Sequence, residues 1–174
     1  MPVTLILGGA RSGKSARAQQ LAEASGLDVC YVATAPHIED DAEWQARIEC
    51  HRQSRPGHWQ TIECERDLVA LLKDEAGEDC LMLVDCLTLW LSNLLMHEAD
   101  MEKEVAALAE LLLQLPGDTV LVSNEVGLGL VPESPLGRAF RDAQGRLNQA
   151  VAKVADNVEF VAAGIPLLMK GERS

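Results

Sequence analysis

Aromatic residues are scarce in this chain. Three tryptophans, two phenylalanines and one tyrosine are all that 174 residues contain. The core must therefore be built mostly of Leu, Val, Ala and Ile, and few rings are available to stack on a flat ligand. Positive charge is short as well. Fifteen Lys and Arg stand against 27 Asp and Glu, a formal net charge of −12. A general nucleic-acid binder needs a basic footprint, so no nucleic-acid partner is expected. A nucleotide needs only one local cationic site. Long apolar runs are missing too. The most apolar stretch, residues 80–96, includes Asp85, Thr88, Ser92 and Asn93. It fits a strand-to-helix transition better than a transmembrane segment. Cys30, Cys50, Cys64, Cys80 and Cys86 form no C-x-x-C pair. An odd number of cysteines without metal spacing implies reduced thiols and a cytoplasmic protein. The first residues lack a basic region and a small-residue cleavage site, so no secretory leader is expected.

What is present suits one packed domain over 1–174, because 48% of the residues are hydrophobic. Apolar runs predict strands over 3–7, 29–32, 81–84, 119–122 and 158–162, the last taken as the final element. A shorter strand is expected over 59–62. Helical spacing falls between them, over 14–24, 40–53, 67–73, 87–96, 101–115 and 138–155. Strands alternating with helices predict an α/β fold, a mostly parallel sheet with helices on both faces.

The first strand runs into Gly8-Gly9-Ala10-Arg11-Ser12-Gly13-Lys14-Ser15, the G-x-x-x-x-G-K-S pattern of a phosphate loop. Glycines let the main chain approach phosphates closely. The loop amides then form an anion nest, and the next helix presents its positive end. Lys14 can reach the β- and γ-phosphates, and the Ser15 hydroxyl can ligate magnesium. A chance glycine-rich turn is the plain alternative; a strand before and a helix after argue against it. A nucleotide-hydrolysing or kinase fold of this P-loop kind also needs an acidic group at a neighbouring strand end. Asp85 follows the apolar Leu81-Met82-Leu83-Val84 and meets that need. It also suits a helix-capping role, and the two are compatible.

A local excess of cations breaks the acidic background at Arg47, His51, Arg52 and Arg55. On a helix, Arg47 and His51 share a face. Such a cluster attracts a polyphosphate, and a neutral imidazole there can attack phosphorus. Taken alone, a lone histidine on a polar helix is more often a solvated surface residue. His58 and His97 read as structural; His37, in a loop after Pro36, stays near the presumed site.

Further segments narrow the reading. They are Tyr31-Val32-Ala33-Thr34-Ala35, Ala46-Arg47-Ile48-Glu49-Cys50-His51-Arg52, Arg55-Pro56-Gly57-His58-Trp59 and Thr61-Ile62-Glu63. Later come Val84-Asp85-Cys86-Leu87-Thr88, Ser123-Asn124-Glu125-Val126-Gly127-Leu128-Gly129, Phe140-Arg141-Asp142 and Gly145-Arg146-Leu147-Asn148-Gln149. With the phosphate loop, they resemble the bifunctional adenosylcobinamide kinase / adenosylcobinamide-phosphate guanylyltransferase family of cobalamin biosynthesis. The resemblance implies two reactions. ATP or GTP phosphorylates adenosylcobinamide, and GTP then gives GMP to that phosphate through a histidine-bound intermediate. His51 matches the histidine position. Some relatives carry two adjacent histidines, where this chain has Cys50 before His51.

The resemblance also implies nucleotide contacts from the phosphate loop, from Ala33, Thr34 and Ala35, and from Arg52, Gln53, Ser54 and Arg55. Glu63 and Asp85 complete the set, with Mg2+ at Ser15 and Asp85. It implies a homo-oligomer, a trimer in that family. From the residues alone, Glu63 reads as an exposed strand carboxylate, and Arg138, Arg141 and Arg146 as a helix face that either is solvated or meets phosphate. Two other readings stand beside this one. One is a P-loop small-molecule kinase without guanylyl transfer. The other is a nucleotide-switched binding protein.

Overall fold

The computed structural model describes residues 2–38, 41–53 and 55–172, without the side chain of Arg47. Seven strands form one sheet: β1 Val3–Gly8, β2 Asp28–Ala33, β3 Gln60–Glu63, β4 Cys80–Asp85, β5 Thr119–Asn124, β6 Asn157–Ala162 and β7 Ile165–Lys170. The helices are α1 Lys14–Ser25, α2 Ala42–Gln53, α3 Leu68–Glu75, α4 Leu87–Met96, α5 Met101–Leu112 and α6 Pro135–Val154. The predicted helix over 40–53 is α2; residue 40 lies outside the described residues.

Strand order is β3-β2-β4-β5-β1-β6-β7. The first six strands run parallel, and β7 returns antiparallel along β6. The period of two divides each inner strand between two cores. Leu5, Val32, Val84 and Leu121 face the side covered by α3 to α6. Ile6, Tyr31, Leu83 and Val122 face the side where α1 packs through Ala18 and Ala22. Small residues on α1 let that helix lie close to the sheet. Leucine-rich α4 is buried almost all round, with Trp90 wholly enclosed and its indole N–H donating to the Arg66 carbonyl at 2.7 Å.

One expectation fails. The strand over 158–162 is not the last, because β7 follows it. Pro166 within the run Ile165-Pro166-Leu167-Leu168-Met169 argues against a central strand but not against an edge, and β7 is an edge strand. The turn before it is Ala163-Gly164, both with positive φ (51° and 78°), the backbone a two-residue hairpin loop requires.

Candidate active site at the carboxyl edge of the sheet

The carboxyl ends of β1, β2, β4 and β5 open into a cavity of about 530 Å³, the position where parallel α/β sheets bind ligands. Residues 10–16, from Ala10 to Ala16, line one side of it. The loop's shape follows from what holds it. A Cβ on Gly8 would lie 2.5 Å from Ser12 Oγ and 2.6 Å from the Val161 carbonyl, so only glycine fits beneath the loop. Gly13 has φ of 98° and passes 3.0 Å, as an added Cβ would, from Gly164 Cα. The β6–β7 turn supports the loop directly, Gly164 N–H donating to the Ser12 carbonyl at 2.7 Å. On α1, Arg17 meets Glu159 of β6 in a two-point pair, both bonds 2.7 Å.

Lys14 is buried and donates from Nζ to the Gly9 carbonyl at 3.0 Å. Burial lowers its pKa; the nearby Cys86 and Asp85 act the other way. Asp85, the last residue of β4, lines the same cavity. Its Oδ2 accepts from the Tyr31 hydroxyl at 3.0 Å. Burial, with the Asp85 charge beside it, pushes the Tyr31 hydroxyl above the ordinary phenol range, so it stays a donor. The Arg55 guanidinium lies 3.7 Å above the Tyr31 ring, whose other neighbour is Trp59. Burial pushes the adjacent Cys86 thiol up to about 11, which keeps it protonated and unreactive.

The opposite wall belongs to α2. His51, Arg52 and Arg55 line the cavity with Trp44 and Ile48, as do Ala33 and Ala35 of the β2 end and Glu63 of β3. Arg52 and Glu63 approach to 3.8 Å, both well exposed, a separation and exposure of little energetic weight. Trp44 is fixed by its indole N–H to the Pro36 carbonyl at 2.9 Å.

Most predicted site residues therefore meet in one place: Ala10 to Ser15, Ala33, Ala35, His51, Arg52, Arg55, Glu63 and Asp85. Gly8 lies under the loop, and Gly9 accepts from Lys14 Nζ and the Ser12 N–H through its carbonyl; neither lines the cavity. Thr34 is not brought to the ligand side. It is wholly buried, and its Oγ1 donates to the Cys86 carbonyl at 2.7 Å and accepts from the Cys86 N–H at 2.8 Å. Gln53 does not line the cavity either; its amide donates to Glu49 Oε1 at 2.8 Å. Ser54 and the Arg47 side chain lie outside what is described. Tyr31, Trp44, Ile48, Glu65 and Asn124 line the cavity without being among the predicted site residues. Tyr31 carried one signal, as the only tyrosine of an aromatic-poor chain.

A phosphate loop between strand and helix, facing an acidic strand end across an intervening strand, defines a P-loop nucleotide-binding protein. Solved structures agree at the level of fold. A type III secretion ATPase of pathogenic bacteria aligns with TM-score 0.57 and 11% identity, over 96% of this chain and 56% of its own. A protein of Pyrococcus horikoshii aligns at 0.55 and 7%, over 99% and 88%. Sequence comparison is more specific. The family described as Cobinamide kinase / cobinamide phosphate guanyltransferase matches residues 4–169. The bifunctional adenosylcobalamin biosynthesis protein CobP of Pseudomonas aeruginosa is 51% identical, over 97% of each chain. CobU of Salmonella typhimurium is 39% identical over 95% of this chain and 98% of its own. The chain belongs to the cobinamide kinase / cobinamide phosphate guanyltransferase family, transferases of cobalamin biosynthesis.

Proposed function

We propose that both reactions run in the one cavity, and that His51 is the nucleophile of the second. Lys14 and the loop amides hold the triphosphate. In the first half-reaction the γ-phosphoryl passes from ATP or GTP to the hydroxyl of adenosylcobinamide. In the second, a neutral imidazole nitrogen of His51 bonds to the α-phosphorus of GTP and pyrophosphate leaves with the electron pair. The phosphate of adenosylcobinamide phosphate then attacks the same phosphorus, frees His51 and yields adenosylcobinamide-GDP. Dividing the step this way avoids direct displacement between two polyanions.

The carrying observation is that His51, Lys14 and Asp85 line the same cavity although 37 and 34 residues of sequence separate His51 from the other two. Arg52 and Arg55 stand beside the imidazole in sequence and line the cavity with it, cations suited to phosphate oxygens. Glu63 is the acceptor for guanine N–H groups or a ribose hydroxyl. Ser15 and Asp85 are hard oxygen donors facing one space, a set that fits Mg2+, which binds through one or two protein oxygens plus phosphates and water. When bound, the ion neutralises charge on the phosphates. The remaining work falls to the chain's own groups: Tyr31 orients Asp85, and Lys14 draws the triphosphate into the loop.

The protein acts in the cytoplasm as a homo-oligomer, a trimer as the family resemblance implies. Five free cysteines fit a reducing compartment, and among the described residues no helix is long and apolar enough to cross a membrane. The decisive experiment uses GTP labelled at the α-phosphorus. A covalent, acid-labile and base-stable GMP adduct should form, map to His51, and vanish in His51→Ala. An adduct that persists in that variant places the nucleophile elsewhere, and no adduct in the parent protein removes the covalent step.

A further inference from the structure

Strand β5 stands between β1, which feeds the phosphate loop, and β4, which ends in Asp85. Its last residue, Asn124, is thereby delivered to the middle of the site. In register Asn124 lies level with Gly8, two positions beyond Val122, the partner of Asp85. Its backbone is tied on both sides. The N–H donates to Thr88 Oγ1 at 2.8 Å, and the carbonyl accepts from Asn148 Nδ2 at 3.1 Å. Asn148 is itself held: its Oδ1 accepts from Ser123 Oγ at 2.7 Å and from Gln144 Nε2 at 3.0 Å. Thr88, Ser123, Gln144 and Asn148 are all buried. Buried polar networks rigidify what they touch, and this one converges on a single backbone position. The Asn124 carboxamide stands outside it. The residue lines the cavity, and its side chain makes no hydrogen bond among the described residues.

We propose that Asn124 is a catalytic residue of the phosphoryl-transfer reaction, its Nδ2 donating to an oxygen of the γ-phosphoryl group in flight. Thr88 and Asn148 are positioning residues that hold it. The step is the family's kinase reaction. The acceptor hydroxyl oxygen bonds to the γ-phosphorus, the bridging P–O bond breaks, and the nucleoside diphosphate leaves with the electron pair. The hydroxyl proton goes to solvent. Asn124 moves no proton; it steadies negative charge on the equatorial oxygens. His51, on the helix joining β2 to β3, serves the α-phosphate instead. The proposal rests on the placement of the triphosphate argued above.

The test separates the two reactions. In Asn124→Ala, kcat for phosphorylating cobinamide with ATP should fall by roughly 100-fold. KM for ATP and the rate of GMP-adduct formation from GTP should stay within about threefold of the parent protein. Thr88→Val should lower the same kcat by a smaller factor, and Thr88→Ser, which keeps the acceptor oxygen, should restore it. A kcat unchanged in Asn124→Ala overturns the proposal. So does equal loss of both reactions at an unchanged melting temperature, and so does Thr88→Ser as slow as Thr88→Val. Lys14→Ala is the separate control: if ATP binding survives it, the placement of the triphosphate fails, which a kinetically silent Asn124 alone would not show.

Discussion

Thr34 separates contact from scaffolding. The family resemblance implies that it meets the nucleotide, whereas its side chain is wholly buried and holds both backbone groups of Cys86. Thr34→Val keeps the shape and removes the hydroxyl. The Cys86 N–H then loses its partner, and the carbonyl keeps only the Trp90 N–H at 3.2 Å. A net contribution near 1 kcal/mol per hydrogen bond, plus the cost of leaving a buried donor unpaired, comes to about 3 kcal/mol. For a chain of this length, that lowers the melting temperature by roughly 6–12 °C. Thr34→Ser keeps the oxygen and loses one methyl, worth about 1 kcal/mol. The order of stability should therefore be parent, then Ser, then Val, measured by calorimetry without nucleotide. GTP affinity, titrated well below both melting points, should change by less than about threefold in Thr34→Ser. If Thr34→Val melts with the parent protein while its GTP affinity collapses, Thr34 is a ligand contact and the scaffolding argument is wrong.

Three more outcomes follow from the same contacts. Lys14→Met should raise the melting temperature while abolishing triphosphate binding. Burial lowers the Lys14 pKa, so the folded state carries a penalty for the charged form wherever both states are charged. That penalty shrinks as pH climbs through the folded pKa towards the unfolded one, because the unfolded chain then binds more protons. The parent should therefore gain on Lys14→Met as pH rises in that window, read by paired melts across alkaline pH. Glu159→Gln keeps the shape of the acid but unpairs Arg17, which lies mostly buried at 23% side-chain exposure. It should cost roughly 2 kcal/mol, visible in urea titrations, and weaken nucleotide binding through the loosened start of α1. Gly8→Ala should destabilise the protein by roughly 1–3 kcal/mol and impair both reactions together, since the new methyl meets a backbone carbonyl of β6; an active, fully stable Gly8→Ala protein would show that the loop can move off β6 freely.

The loop at Gly8 to Ser15 was legible because its meaning is local: glycines, a lysine and a hydroxyl at fixed spacing between a strand and a helix. Asp85 was legible for a similar reason, as an acid ending an apolar run. Asn124 was not. Its importance comes from β5 lying between β1 and β4, and strand order is a property of the folded sheet that no window of sequence contains. Thr34 is the opposite case. Its segment lies beside the site, yet Ala33 and Ala35 line the cavity and the residue between them points away, as alternation across a strand end requires. Strand β7 was hidden by Pro166 and by side chains such as Ile165 and Leu167, which remain exposed and lend no burial pattern to read.

The two walls of the cavity are held very differently, and this bears on the proposal that one site serves two phosphorus atoms. On the loop side, β1 is paired on both edges, α1 is pinned by Arg17 to Glu159, and the β6–β7 turn bonds the loop backbone. On the other side, no described side chain of α2 is buried. Beside the exposed Arg52–Glu63 pair, Trp44 bonds to the Pro36 carbonyl and Gln45 to the Ile38 carbonyl, both near in sequence. Shifting α2 breaks little apolar contact, whereas shifting the loop would disrupt the centre of the sheet. Segments with few buried contacts are those that open at low free-energy cost. On the function proposed above, a triphosphate fixed at the loop and His51 carried on the less buried wall would let the γ- and α-phosphates be addressed in turn without rebuilding the grip on either.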